Sequence, residues 1–150
     1  MTDAPCYAMQ IRWADLDANG HLRHSVYLDL GAQARVAFLD SQGLSVVRFH
    51  ELGIGPILFR ETARYLREVR SNERVTVDVW LTGLSANGKH WSFRHHVHRS
   101  DGELACIIDC RGAWFDTRAR KVIPMPDELD GIMAQPPRTE DYAEITGRDS

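Results

Sequence analysis

The sequence predicts an α+β fold in which a curved antiparallel sheet wraps around one long central helix. Three features carry that expectation. A short alternating strand opens the chain, a single helix with apolar residues around most of its circumference follows, and almost everything after it reads as strand and hairpin. Residues Cys6 to Trp13 form the expected first strand, with Met9, Ile11 and Trp13 alternating against more polar neighbours. Asp15 to Gly20 carries turn chemistry, because Asp, Asn and Gly accept the backbone angles that turns require. From about His24 to Gln42 the period becomes helical. Asp29, Gln33 and Asp40 share one narrow face, and residues from Val26 and Tyr27 to Phe38 and Leu39 cover the rest, so the helix is expected to be enclosed on several sides. Gly43 is positioned to cap its end.

The remaining core is expected to be a meander of four strands: Ile57 to Val69, Glu73 to Leu84, Lys89 to Arg99, and Glu103 to Phe115. Val75, Val77, Val79 and Leu81 give the second of these one apolar face, while Asn87-Gly88 and Asp101-Gly102 are hairpin signals. Pro124-Met-Pro126 ends the meander, and Asp127 to Met133 has the makings of a short helix. The expected domain spans residues 1–134, with residues 135–150 as a polar, weakly ordered tail.

At 150 residues, with 43% hydrophobic and 26% charged residues, the chain has the size and composition of one globular domain. A formal charge of −3 disfavours nucleic acid and anionic membrane as bulk partners. No apolar run approaches a membrane span, no signal peptide opens the chain, and the three cysteines lack CxxC spacing, so a reduced, cytoplasmic protein is expected.

The most informative stretch is Trp13-Ala-Asp-Leu-Asp-Ala-Asn-Gly-His-Leu-Arg-His-Ser-Val-Tyr27. It places a carboxylate just before a turn and a helix N-terminus just after it. That juxtaposition supplies a base or nucleophile beside unpaired N–H groups, which is what attack on a carbonyl requires. Asp17 also has the simpler reading of a turn residue, and Asp15 that of a partner for an arginine or support for the turn.

Arg12-Trp-Ala-Asp-Leu-Asp17, Gly20-His21, His24-x-x-Tyr27 and the helical Ala34-Arg35-x-x-Phe38-Leu39 resemble the hot-dog-fold acyl-CoA thioesterases, in the 4-hydroxybenzoyl-CoA thioesterase-like branch. The resemblance extends over roughly Tyr7 to Met133. It implies a hot-dog fold and an Asp17 carboxylate that attacks the thioester carbon or activates the attacking water. It also implies backbone N–H groups near His24 that polarise the carbonyl. His24 joins Asp17 as a catalytic candidate, while Gly20, His21, Tyr27 and Arg60 are the substrate-binding candidates. Arg60 is one of four arginines, with Arg64, Arg67 and Arg70, whose forked donors suit coenzyme A phosphates; an exposed charged edge is the commoner use of any one of them. Where many relatives carry a glutamate on the central helix this chain has Ala32, which favours an Asp17-centred mechanism.

No metal and no redox cofactor is expected, coenzyme A being part of the substrate. His90, His95, His96 and His98 suggest a metal only weakly and read better as a solvated or interfacial strand face. Cys106 and Cys110 are expected to pack as small apolar groups, and Trp80, Trp91 and Trp114 as core or subunit contacts. An exposed sheet edge and a half-built groove imply a homodimer, with a dimer of dimers as the larger state. The alternatives are a hot-dog hydratase or dehydratase acting on acyl thioesters, and a non-catalytic acyl-CoA-binding module.

Overall fold

A computed structural model describes residues 3–146. Strand β1 (Cys6–Gln10) leads into the helix α1 (Val26–Ser41), followed by a short helix α2 (Val46–Leu52) and six further strands. These are β2 (Ile54–Tyr65), β3 (Arg74–Asp78), β4 (Trp80–Leu84), β5 (His90–His98), β6 (Leu104–Asp116) and β7 (Lys121–Ile123). All pair antiparallel in one seven-stranded sheet, ordered β1-β3-β5-β6-β2, with β4 also on β5 and β7 also on β6. The α+β hot-dog architecture is as expected, and the apolar face of the sheet closes on α1.

The strand order departs from a simple meander. The long strand β2 pairs with β6 rather than with β3, so it forms one edge of the sheet, and β1 forms the other. Nothing local in the sequence decides this, because strand alternation is silent about neighbours. The single expected strand over Glu73 to Leu84 is broken at Val79, where the Asp78 carboxylate takes the N–H of His96 at 2.6 Å. The interruption adds no residue to the alternation, so Val75, Val77, Val79 and Leu81 all remain buried. Helix α2 was missed because only Phe49 of its seven residues is buried, while Val46 and Val47 are 67% and 69% exposed. Its terminal signals are nonetheless present: Ser45 Oγ accepts from the Arg48 N–H at 3.1 Å, and Gly53 ends it at φ +71°. Strand β7 was likewise missed, and only Asp127–Leu129 of the expected last helix forms, as a 3-10 turn.

Helix α1 exposes Asp29, Gln33 and Asp40 and buries Val26, Tyr27, Leu30, Gly31, Ala34, Phe38 and Leu39. The burial is less complete than the apolar cover suggests, since Val36 is 48% exposed. Cys106, Cys110, Trp91 and Trp114 are buried in the core, whereas Trp80 is half-buried. Beyond residue 134 the chain lies parallel to the free side of β4. Leu81 N–H donates to Pro137 O at 2.9 Å, and Ile145 N–H to Leu84 O at 3.0 Å. Arg94 ties this arm down by pairing with Asp109 at 2.8 Å and Asp141 at 3.0 Å. The last four positions of the tail expected from the sequence, 147–150, lie outside the described residues.

Gly112 shows how closely β2, β5 and β6 are set. A Cβ there would stand 2.0 Å from Ile57 O and 2.5 Å from Trp91 Cζ2. Gly112→Ala is therefore expected to destabilise the protein by about 1–3 kcal/mol, read as a lowered denaturant midpoint.

Candidate active site

The turn between β1 and α1 is built from its own aspartates. Asp15 is 6% exposed and holds Arg12 through both carboxylate oxygens, at 2.8 and 3.1 Å, while accepting the Arg12 N–H at 3.0 Å. That pairing, together with the hydrogen bonds it includes, keeps the Asp15 carboxyl below the ordinary carboxylate range. Asp15 is thus a positioning residue for the turn.

Asp17 does two things at once. Its Oδ1 accepts the N–H of Asn19 at 2.9 Å and of His21 at 3.1 Å, the arrangement of an Asx turn. Its Oδ2 takes no hydrogen bond among the described residues, and the side chain is exposed. The His21 and Asn19 amides, with the charge of nearby histidines, hold the Asp17 carboxyl below its usual range. The group is therefore anionic throughout the neutral range. Gly20, at φ +78°, donates its N–H to Asp17 O at 3.1 Å and closes the turn.

The start of α1 shares a cavity with this carboxylate. Ser25 occupies the capping position but its side chain caps nothing; its hydroxyl instead accepts from Arg23 Nε at 3.0 Å. Val26 N–H donates to Arg23 O at 3.0 Å, and no side chain caps the amides that follow it, in the positive end of the helix field. The backbone just before is pinned from across the molecule: Tyr65 at the end of β2 donates its hydroxyl proton to His24 O at 3.0 Å. Tyr65 also meets Tyr27 edge to face, with centroids 5.2 Å apart. Burial pushes the Tyr27 phenol up to about 12, so it stays neutral.

Asp17, His21, His24 and Tyr27 together line one open cavity of about 340 Å³, joined by Leu22, Tyr65, Leu66, Arg67 and Glu68. Four of the six residues singled out from the sequence therefore come together. Gly20 shapes the turn without lining the cavity. Arg60 lies elsewhere, facing away from α1 in a second cavity with Thr62, Ser92 and Arg111. Among the four arginines of that region it is Arg67 that reaches the site, where it pairs with Glu103 at 3.5 Å. Glu68 was not anticipated; it sits 3.3 Å from His21 Nε2 and also binds Arg70. No local signal marks Tyr65 or Glu68, and none ranks Arg67 above the other three arginines, because all three residues arrive at the site only through the return of β2. The histidines of β5 divide differently from expectation: His95 is fully buried, while His90, His96 and His98 are half-buried.

Tyr65→Phe should leave folding stability within ~1 kcal/mol, since an exposed ring loses one hydrogen bond. It should lower kcat ~10-fold by freeing the His24 carbonyl and the helix start behind it. Steady-state kinetics beside a urea titration separates the two effects.

An exposed anion and the start of a helix thus line one open cavity. The family follows from comparison with known proteins. A model of the thioesterase-like superfamily matches residues 11–133, and the chain belongs to that superfamily. It is 28% identical over 114 residues to the L-carnitine dehydrogenase/betainyl-CoA thioesterase of Agrobacterium fabrum, a match covering 76% of this chain. The chain spans only 23% of that relative's length.

Among solved structures, a hypothetical protein of Staphylococcus aureus in complex with CoA superposes with a TM-score of 0.83 at 17% identity. That superposition covers 99% of this chain and 98% of the other. A 1,4-dihydroxy-2-naphthoyl-CoA thioesterase from Synechocystis gives 0.78 at 17% identity, over 88% of this chain and 96% of that one. At such identities the likeness establishes the hot-dog fold. Among the described residues, no helix is long and apolar enough to cross a membrane.

Proposed function

We propose that this protein hydrolyses the thioester of an acyl-CoA. The observation that carries the reading is the shared cavity that Asp17, with its unbonded Oδ2, lines together with His24 and Tyr27 at the start of α1, where no side chain caps the helix. Membership of the thioesterase-like superfamily supports the reaction class. The Asp17 anion delivers the attack on the thioester carbon, either directly or through a water whose proton it takes. The first-turn amides of α1 receive the charge that develops on the carbonyl oxygen. When water attacks, collapse of the tetrahedral intermediate breaks the C–S bond to give the free acid, and the proton that Asp17 took passes to the departing thiolate of coenzyme A. When Asp17 attacks directly, the same collapse leaves an Asp17–acyl anhydride and a thiolate that takes its proton from water. A second water then hydrolyses the anhydride to the free acid and the restored carboxylate. A thioester carbonyl is already electrophilic, so this route needs neither a metal nor a redox group. His24, on the wall beside Asp17, contacts the substrate or its water, and Arg67 takes the phosphate-contacting role that the sequence suggested for Arg60.

The working unit is a homodimer in this proposal. Strand β2 is a 12-residue edge, paired on one side only, and exposes Leu58, Phe59 and Tyr65, with exposed Leu66 directly after it. Edges of that length are normally covered. A second copy placed there would also roof the cavity that leaves Asp17 exposed. The test is thiol release over short, long, branched and aromatic acyl-CoAs, with the mass in solution measured in parallel. Release from at least one class by a dimeric species is expected. Tight acyl-CoA binding without any release would replace the enzyme by a binding module.

A further inference from the structure

Two residues on the cavity wall, His21 and Glu68, take no part in the chemistry above. His21 belongs to the turn that carries Asp17, and the two face each other across it. Leu16 and Leu22 form an antiparallel bridge, and directly inside it Asp17 N–H donates to His21 O at 2.8 Å. The His21 N–H returns to Asp17 Oδ1 at 3.1 Å. Residues opposed in this way present their side chains as neighbours on one face. The turn is held from its other side by the segment that follows β2. Leu22 N–H donates to Val69 O at 2.7 Å, and His21 bridges to Arg70. Glu68, on that segment, sets its Oε2 3.3 Å from His21 Nε2. Arg70 holds the other oxygen, Oε1, at 3.1 Å and, with the His21 charge, keeps this carboxyl below its usual range, so Glu68 is an anion.

A carboxylate beside Nε2 favours the neutral tautomer with its proton on that nitrogen, and leaves Nδ1 as the basic atom. Among the described residues Nδ1 takes no hydrogen bond, and the side chain is 33% exposed on the cavity wall. Asp17 is poorly suited to accept a proton there. The two amides on its Oδ1 stabilise the anion, and what stabilises a carboxylate weakens it as a base. The same stabilisation makes it a good leaving group from an anhydride. His24 lines the cavity too, but among the described residues no carboxylate is bonded to its ring.

We propose that His21 is the general base of the second half-reaction, and that Glu68 is the positioning residue that fixes its tautomer. The inference rests on the thioesterase reading and deepens it by dividing the work between Asp17 and His21. Asp17 Oδ2 bonds to the thioester carbon, the C–S bond breaks, and the thiolate takes a proton from water. A second water then attacks the acyl carbon of the anhydride while His21 Nδ1 takes its proton. The C–O bond to Asp17 breaks, the free acid leaves, the carboxylate is restored, and the imidazolium returns its proton to solvent. The charged and titratable groups around His21 are Asp17 and His24 from its own turn, and Arg67, Glu68 and Arg70 from the segment after β2. Burial raises the phenols of Tyr27 and Tyr65, which stay neutral.

Rapid-mixing thiol release separates the two halves, using whichever of acetyl-, isobutyryl-, benzoyl- and palmitoyl-CoA the wild type turns over fastest. His21→Gln is expected to release about one thiol per site in a burst and then turn over ~100-fold more slowly, since acylation needs no base and deacylation does. Intact-protein mass and peptide mapping should then show the acyl group on Asp17, and hydroxylamine should discharge it as the hydroxamate. His24→Gln should accumulate no such adduct. Wild-type kcat should fall on the acid side of neutrality, and that limb should be absent from His21→Gln. Glu68→Gln should lower kcat and KM together by ~10-fold, leaving kcat/KM unchanged because that ratio reports acylation, and Glu68→Asp should recover part of the loss. If His21→Gln does not fold, the Glu68 variants decide, and a kcat/KM that falls with kcat would overturn the inference. A wild type that releases no thiol would overturn the hydrolase reading and this inference together. Release by the wild type, with neither burst nor adduct in His21→Gln or with turnover there near wild type, would overturn this inference alone.

Discussion

Asp17→Asn is expected to lower turnover of the best acyl-CoA at least ~100-fold, the scale of a lost catalytic carboxylate or oxyanion element. The fold should survive, because the two N–H bonds from Asn19 and His21 end on Oδ1, and an asparagine carbonyl accepts them equally well. What disappears is the negative charge on the oxygen that the turn leaves free. Thiol release and a urea midpoint, measured on the same preparations, provide the check. Near-wild-type turnover in Asp17→Asn would reduce Asp17 to the turn residue that its hydrogen bonds alone describe. The pH profile adds an independent reading. The Asn19 and His21 amides depress the Asp17 carboxyl, so the anion persists as pH falls past the ordinary carboxylate value of 3.8. Any acid limb that begins near neutrality therefore belongs to another group.

The second large effect is acid lability centred on His95. Burial, reinforced by the Arg35 charge, lowers its folded value to about 4, against 6.5 for a free histidine. Between those values the unfolded chain binds a proton that the folded chain refuses. Stability from this residue is fully present above about pH 6.5, declines as pH falls through the window and is lost below about 4, a change of ~3 kcal/mol. Urea unfolding at pH 7.5 and 4.5 should show that decline in the wild type and a shallower one in His95→Gln, which cannot titrate. The difference between the two slopes isolates His95 from carboxylates such as Asp15, which titrate in both proteins. Identical slopes would mean that the ring accepts its proton inside the fold.

How far the sequence could be read depended on whether a signal was local. Helix α1 was legible because Asp29, Gln33 and Asp40 mark its solvent face at helical spacing, and that face is the exposed one. The hairpins at Asn87-Gly88 and Asp101-Gly102 were legible because turn geometry demands those residues, as the φ values of +69° and +87° at the two glycines bear out. Asp17 could be found because its turn, its carboxylate and the helix start are contiguous in the chain. Helix α2 escaped because it buries a single residue and so writes no stripe. Arg35 was noted in a motif, yet its destination beside His95 and Cys110 could not be foreseen, since those partners lie on β5 and β6.

By itself the sequence determined the α+β class, the enclosed helix and the acidic turn before it, because each depends on residues within a few positions of one another. Only the tertiary structure decided that β2 returns along β6, which brings Tyr65, Arg67 and Glu68 to Asp17 and carries Arg60 to the opposite face. The physical reason is that strand pairing is chosen by the packing of whole faces over the helix. Alternating side chains specify which face is buried and carry no information about which strand will lie beside which.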